Sequence, residues 1–186
     1  MPSDEELMQY YVRGEASAFH ELFRRYAPAL LRLMRRDLAS KAEADDLVQQ
    51  AFLQLHRARN DFDPARRLKP WVYTIALNLK REYLRSRRRR PTQPLEAGDE
   101  PGVDAVDPEL EDRARAIRRA LSELPEQQRE VVELHWFDGL SFQEIAQTLS
   151  ISSSAAKVRA HRAYGRLRGA LAGLDLGNPL PASGIK

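Results

Sequence analysis

The chain has 186 residues, of which 42% are hydrophobic and 31% are charged, and it contains no cysteine. This composition is typical of a soluble globular protein and excludes disulfides, thiolate metal sites and cysteine nucleophiles. No apolar run reaches the roughly 18 residues of a membrane helix and the first residues lack the pattern of a signal peptide, so we expect a cytoplasmic protein without membrane insertion.

The charge is unevenly distributed, although its net value is only +3. Residues 1–90 contain 19 basic and 12 acidic side chains, residues 91–112 contain 8 acidic and no basic ones, and residues 113–186 contain 11 basic and 7 acidic ones. Two basic blocks therefore flank an acidic segment. This pattern predicts that the blocks bind a polyanion and that the segment between them has another task.

The first block begins with two predicted helices. Apolar residues at three- and four-residue steps predict a helix over 3–38, in which Pro28 predicts a kink or a break near Ala27. Ser40, or the acidic residues 43–46, opens the second helix. Its outward stripe suits a protein contact better than plain solvent, although an isolated surface leucine needs no partner. The stripe consists of Asp46, Gln49, Gln50 and Leu53.

A loop and a third helix complete this block. The segment 60–70 holds two prolines and reads as a loop, and residues 71–90 read as a helix that ends in four arginines. Residues 57–90 carry 12 basic and 3 acidic side chains, interleaved with Phe62, Trp71 and Tyr73. Basic groups bind phosphates and aromatic faces stack on unpaired bases, so the segment predicts binding of single-stranded or opened nucleic acid. The alternative for the arginine run is a solvated helix end.

The second block ends in a predicted helix-turn-helix. Ser141 with Glu144 forms a capping box, residues 150–153 make the turn, and Ser152 caps a second helix. Ala156, Ala160, Ala163 and Leu167 share the inner stripe of that helix. Its other stripe is polar and basic and would enter the major groove, unless the element is a plain helical hairpin with a solvated basic face.

No strand pattern occurs, so we expect an all-α fold of two small helical domains. The predicted parts are a first domain over 1–90, a flexible acidic linker over 91–107, a second domain over 108–172 that contains the helix-turn-helix, and a disordered tail over 173–186. The four histidines lie on separate predicted helices without ligand-spaced partners, and no phosphate-binding glycine loop is present. We therefore expect no catalytic residues, no metal site and no cofactor.

Four stretches, in this order, resemble the sigma factors of bacterial RNA polymerase, specifically the extracytoplasmic-function (ECF) kind. They are DDLVQQAFLQL (45–55), WVYTIALN (71–78), LPEQQR (124–129) and LSFQEIA (140–146) continued by KVRAHRA (157–163). The resemblance covers roughly residues 5–171. It implies that residues 1–90 correspond to sigma region 2, which binds core polymerase and recognises and melts the −10 element. Residues 108–172 would correspond to region 4, which recognises the −35 element.

The resemblance also implies site residues and partners. Core polymerase, through its clamp helices, would contact Asp45, Asp46, Gln49, Gln50 and Leu53. Single-stranded −10 DNA would contact Asp61, Phe62, Arg66, Arg67, Lys69, Trp71, Tyr73, Thr74, Asn78, Lys80, Arg81 and Arg85. Duplex −35 DNA would contact Ser152, Ser153, Ser154, Lys157, Val158, His161 and Arg162. The polymerase flap and an anti-sigma factor are further implied partners, and the protein would associate with the nucleoid when in holoenzyme.

Several positions depart from the family pattern. Thr74 and Leu77 stand where the family commonly has arginines. In the recognition helix, Ser154, Ala155 and Ala156 stand where the family usually has Gly-Thr-Val. The −35 sequence that this chain prefers is therefore left open. Two other readings also stay open at this point: a stand-alone helix-turn-helix regulator that binds duplex operators as a dimer, and an interaction protein such as an adaptor.

Overall fold

The computed structural model describes residues 1–38, 40–89 and 108–172. These residues form eight α-helices and a short 3₁₀ helix at Arg59–Asp61, with no strand among them, so the all-α prediction is confirmed. The helices are α1 Asp4–Val12, α2 Ala16–Arg35, α3 Lys41–Arg57, α4 Leu68–Arg89, α5 Pro108–Ser122, α6 Glu126–Trp136, α7 Phe142–Leu149 and α8 Ser153–Ala170. Within the described ranges, no helix combines the length and apolarity needed to cross a membrane.

The chain divides into two compact units, with α1 to α4 in the first and α5 to α8 in the second. The predicted linker, 91–107, and the predicted tail, 173–186, lie outside the described residues. The boundaries given above for the two domains stay a prediction.

The first unit has its core between α2, α3 and α4. Helix α2 packs against α1 and α3, and α4 packs against α1, α2 and α3. Ser40 caps α3 as predicted, because its side-chain oxygen accepts from the Glu43 backbone N–H at 3.3 Å. Six α3 side chains are buried on the inner face of this helix: Ala44, Leu47, Val48, Ala51, Phe52 and Leu55.

The first predicted helix is broken at a different place from the one expected. Helix α1 ends at Val12 and the chain turns at Gly14, whose φ of +102° favours glycine. Helix α2 begins at Ala16 and continues through Pro28. The predicted break near Ala27 is therefore wrong, and the alternative of a kink there stays a prediction. Pro28 removes only the hydrogen bond to the Arg24 carbonyl, and both residues lie on the exposed face of α2, where water can bind that carbonyl.

Helix α4 begins at Leu68, three residues earlier than the pattern after Pro70 predicts. Pro70 is the third residue of this helix. Its missing N–H costs nothing there, because the first-turn N–H groups of a helix have no partner inside the helix. The predicted loop is shortened accordingly to the residues between the 3₁₀ helix and α4.

The second unit contains the predicted helix-turn-helix. The Ser141–Glu144 capping box opens α7, and Ser152 accepts from the Ala155 N–H at 3.1 Å at the start of α8. Ser150 ends α7 in the left-handed region, with φ +54° and ψ +45°. The whole predicted inner stripe of α8 is buried. These contacts are local in sequence, which is why the pattern sufficed to find the motif.

Candidate protein and nucleic-acid interfaces

The outer face of α3 is exposed along the predicted stripe. Asp46, Gln49, Gln50 and Leu53 are all on the surface, and Asp45 beside them is half-buried. Leu53 is 48% exposed, whereas the inner residues of the same helix are at most 5% exposed. The structure therefore brings the predicted protein-contact residues together on one face, with an apolar side chain at its C-terminal end.

Two depressions of the first unit meet at Leu53. The larger, of about 600 Å³, also contains Gln50, Arg57, Asp61 and Leu79 in its wall. The smaller, of about 300 Å³, is mostly apolar, and its remaining walls are Tyr11, Phe19, Phe23, Gln49, Phe52 and His56. An exposed leucine between an apolar depression and one with both apolar and polar walls suits docking of a protein segment that carries both kinds of side chain. The pattern on α3 alone had not indicated the contributions of α1 and α2.

The loop between the 3₁₀ helix and α4 presents charges rather than open aromatic faces. The rings of Phe62 and Trp71 pack against each other, with centroids 5.3 Å apart and planes at 47°. Phe62 is only 9% exposed, and Trp71 is half-buried. Phe62 offers no open stacking face in this structure, because Trp71 packs on its ring, and its contact with DNA stays a prediction.

Two other predicted DNA-contact residues of α4 lie inside the protein. Tyr73 is 1% exposed and Lys80 is 7% exposed. Lys80 Nζ lies 2.6 Å from Asp37 Oδ2 and 3.5 Å from the Leu33 carbonyl oxygen. Tyr73 and Lys80 are therefore not accessible to DNA in this structure, because α1, α2 and α3 all contact α4. That these two residues contact DNA stays a prediction.

The remaining predicted residues of α4 and the loop are accessible to different degrees. Asn78 and Arg85 are exposed and Arg81 is half-buried. Arg66 and Arg67 keep 79% and 71% of their side chains exposed, although both contact carboxylates. Asp61 is exposed, and Lys69 and Thr74 are half-buried. This surface is suited to contacts with a phosphate backbone.

The two positions at which the family commonly has arginines have different environments here. Thr74 donates its hydroxyl to the Pro70 carbonyl at 2.8 Å, as helical threonines often do. Leu77 is 1% exposed. An arginine at 77 would be buried in this packing, so leucine fits the interior of this chain.

The arginine run at the end of α4 is partly bound to α3. Arg87 Nη1 lies 3.1 Å from Glu43 Oε2, and both side chains remain about a third exposed. Glu43 also accepts a hydrogen bond from the Tyr83 hydroxyl. Burial raises the pKa of Tyr83, and this hydrogen bond raises it further by a smaller amount. Arg87 therefore stabilises the contact between α3 and α4, whereas Arg88 and Arg89 are exposed.

The outer face of α8 presents the predicted reading residues. Ser152, Ser153, Ser154, Val158, His161 and Arg162 are exposed, and Lys157 is half-buried. Val158 is 48% exposed, so its methyl groups can contact a thymine methyl in a major groove. On the opposite side, Trp136 Nε1 donates to the Tyr164 hydroxyl at 3.0 Å and joins α6 to α8. A small alanine face and this bond fix the orientation of the reading residues.

No cluster of three or more histidine or acidic side chains that could hold a metal occurs in the described parts of the chain. The surfaces described above are suited to binding a protein and a polyanion.

Comparison with known proteins identifies both units. Residues 22–90 match the family model "Sigma-70 region 2", and residues 114–167 match "Sigma-70, region 4". The chain is 37% identical to the RNA polymerase sigma factor CarQ of Myxococcus xanthus over 175 residues, which cover 91% of this chain and 98% of CarQ. It is 35% identical to the ECF RNA polymerase sigma factor SigM of Mycobacterium tuberculosis (strain ATCC 25618 / H37Rv), over 94% of this chain and 88% of SigM.

A solved structure has the same architecture. The structure of CnrH in complex with the cytosolic domain of CnrY superposes with a TM-score of 0.72 at 27% identity, and covers 92% of this chain and 99% of CnrH.

Proposed function

The chain belongs to the ECF sigma factors of bacterial RNA polymerase, and on that premise we propose which of its surfaces bind the polymerase and which bind promoter DNA. It is a transcription initiation factor that directs core polymerase to promoters. The observation that carries the proposal is that each unit exposes a large apolar side chain beside polar ones, Leu53 on α3 in the first unit and Val158 on α8 in the second.

Core polymerase binds the outer face of α3. Leu53 contributes the apolar anchor, and Asp46, Gln49 and Gln50 around it contribute polar contacts to the clamp helices, with Asp45 at the margin. The support is the combination of exposure and two adjoining depressions, since anchors at protein interfaces are apolar side chains next to pockets.

The −10 element binds as a single strand along the loop and the exposed stripe of α4. Arg66, Arg67, Asn78 and Arg85 contact its backbone, and Trp71 offers the remaining aromatic edge. Asp61, Lys69, Thr74 and Arg81 border this surface. Tyr73 and Lys80 are left out because they are buried, and Phe62 contributes by supporting Trp71.

The −35 element binds as duplex DNA to α8. Lys157, His161 and Arg162 can donate to base edges or phosphates, and Val158 makes an apolar contact in the major groove. The serines 152–154 lie at the start of α8, where their hydroxyls and the helix N-terminus favour a phosphate. Residues 1–90 thus act as region 2 and residues 108–172 as region 4, and the flap is the second contact on the polymerase.

A second protein regulates the chain. CnrH, which is 27% identical, was solved in complex with the cytosolic domain of CnrY. We infer that this chain likewise binds a partner protein, an anti-sigma factor that covers surfaces needed for polymerase binding. The chain itself catalyses no reaction, and it acts in the cytoplasm, associated with the nucleoid as part of holoenzyme.

The test is reconstituted transcription. Purified protein is mixed with sigma-free core polymerase, and run-off transcripts are measured from a library of candidate promoters. We expect promoter-specific transcripts that disappear in the triple variant Asp46→Ala, Gln49→Ala, Leu53→Ala. The matched control is Asp112→Ala with Arg115→Ala, an exposed ion pair on α5 with a separation of 3.5 Å, which should leave transcription unchanged.

Two results would contradict the proposal. If the triple variant transcribes as well as the unaltered protein, the polymerase contact is not on α3. If the unaltered protein does not associate with core but binds a palindromic duplex as a dimer, the chain is a stand-alone helix-turn-helix regulator.

A further inference from the structure

The carboxylate of Glu5 on α1 lies at the first residue of α4. The Leu68 backbone N–H donates to Glu5 Oε1 at 3.0 Å, across 63 positions of sequence. Arg67 Nε lies 3.7 Å from the same oxygen. Leu68 is 0% exposed, so its backbone N–H cannot donate to solvent water. Its hydrogen-bond acceptor is therefore the Glu5 carboxylate. Glu5 therefore caps α4 from a different helix, in the way a side chain at the N-cap position ordinarily does.

The turn of α1 that carries Glu5 is fixed on both sides. The Ser3–Glu6 capping box holds the turn itself, with the Ser3 N–H donating to Glu6 Oε2 at 2.7 Å. Asp4 binds α2, because Arg25 Nη1 lies 2.6 Å from Asp4 Oδ1 and the Tyr26 hydroxyl donates to Asp4 Oδ2. The first turn of α1 thus connects α2 to the start of α4.

The loop that ends at Leu68 is anchored at its other end by its own residues. Asp63 Oδ1 accepts from the Ala65 N–H at 3.0 Å, and Asp63 Oδ2 lies 3.4 Å from Arg66 Nε. Glu5 provides the second anchor, at Arg67 and Leu68. The guanidinium groups of Arg66 and Arg67 remain mostly exposed, so the anchors orient them without covering them.

We propose that Glu5 is a positioning residue for the strand-binding loop, residues 62–68. It acts through the Leu68 N–H and the Arg67 guanidinium, because a carboxylate in direct contact with the strand would repel its phosphates. The inference rests on the proposed function, which assigns this loop to the single-stranded −10 element. Holding the loop before DNA arrives lowers the entropy cost of binding the strand.

The test compares Glu5→Met with Glu5→Gln in the full-length protein bound to core polymerase. Glutamine keeps a carbonyl acceptor for the Leu68 N–H but loses the charge, whereas methionine loses both. The probe is a forked DNA fragment of a promoter that supports run-off transcription. We expect the Kd of holoenzyme containing Glu5→Met for this fragment to rise about tenfold. Glu5→Gln should recover most of this loss. Association with core and binding to a duplex −35 fragment should not change.

A spectroscopic readout tests the position of the loop without DNA. The chain has two tryptophans, so Trp136→Phe leaves Trp71 as the single reporter beside Phe62. We expect Glu5→Met to shift Trp71 emission to longer wavelength, and Glu5→Gln to shift it less. The control is Glu15→Gln, because Glu15 precedes α2, is exposed and makes no side-chain capping bond.

The outcomes separate the inference from the proposed function. If the unaltered holoenzyme does not prefer forked to duplex DNA, the proposed function fails and the inference falls with it. If the unaltered holoenzyme prefers forked DNA and Glu5→Met binds it equally well, the inference alone is wrong. Unchanged Trp71 emission in Glu5→Met also overturns it. A loss on forked DNA accompanied by an equal loss of core association would indicate general destabilisation and would contradict the positioning role.

Discussion

Lys80 Nζ lies 2.6 Å from Asp37 Oδ2, and this ion pair joins the middle of α4 to the turn that follows α2. The ammonium also lies 3.5 Å from the Leu33 carbonyl near the C-terminal end of α2, where the helix dipole favours a cation. Lys80 is buried, whereas the Asp37 side chain is 23% exposed. The loss of unfolding free energy should therefore depend on which of the two partners is removed.

Asp37→Ala should destabilise the first unit more than Lys80→Met. Removing the carboxylate leaves a buried cation without its partner, which costs about 3 kcal/mol of unfolding free energy. Methionine keeps the apolar stem of Lys80, and the partly exposed Asp37 can then bind water. Urea unfolding followed by Trp71 fluorescence, in the Trp136→Phe background, measures both changes. Arg85→Met, which removes an exposed cation from the same helix, is the control, and equal losses for the two partners would contradict this account.

Leu53 and Val158 should separate polymerase binding from duplex binding. Both are 48% exposed, so an aspartate at either position should leave the fold intact. We expect Leu53→Asp to weaken association with core at least about tenfold, as for the loss of an interface anchor. Val158→Asp should leave core association unchanged and reduce retention of holoenzyme on −35 duplex, since it brings a carboxylate towards phosphates. Each variant serves as the control for the other, and identical defects would refute the assignment of two faces.

Ser150→Gly should stabilise the second unit. Ser150 has φ +54°, a conformation that costs a non-glycine residue about 1 kcal/mol or more. We expect the free energy of unfolding to rise by about that amount, because the αL residue after a helix is most favourable as glycine. Thermal unfolding followed by Trp136 fluorescence in a Trp71→Phe background measures it. Ser153→Gly, inside the first turn of α8, should instead be destabilising, and a gain from both would disprove the conformational explanation.

Glu21 should make stability depend on pH in the acid range. Hydrogen bonds from Arg24 and Arg25 lower the pKa of the Glu21 carboxyl to about 2 from the ordinary value of 4.5. A carboxyl with a lowered folded-state pKa contributes stability that is complete above the unfolded-state pKa and is lost as pH falls through the folded-state value. The difference in unfolding free energy between the unaltered protein and Glu21→Gln should therefore be constant above pH 4.5 and shrink between pH 4.5 and 2. Urea unfolding at several pH values tests this, and a difference that grows on acidification would reverse the assigned sign.

Most features that could be predicted from the sequence depend on residues close together along the chain. The capping box of Ser141 and Glu144, the cap at Ser152 and the alanine stripe of α8 all involve neighbours within one or two helical turns. Their geometry follows from helix periodicity. For the same reason the outward stripe of α3 around Leu53 was found, since one face of that helix packs inward and the opposite face does not.

The sequence by itself determined the helix-turn-helix, the outward stripe of α3 and the order of parts that resembles a sigma factor. Only the tertiary structure decided which faces of α4 are buried. Helices α1, α2 and α3 all contact it, so Tyr73 and Lys80 are buried, although the resemblance implied that both contact DNA. These partners of α4 are also far away in sequence: Asp37 pairs with Lys80, and Glu5 caps Leu68. Such contacts depend on how the helices pack in three dimensions, and this packing cannot be predicted from the spacing of residues along one helix.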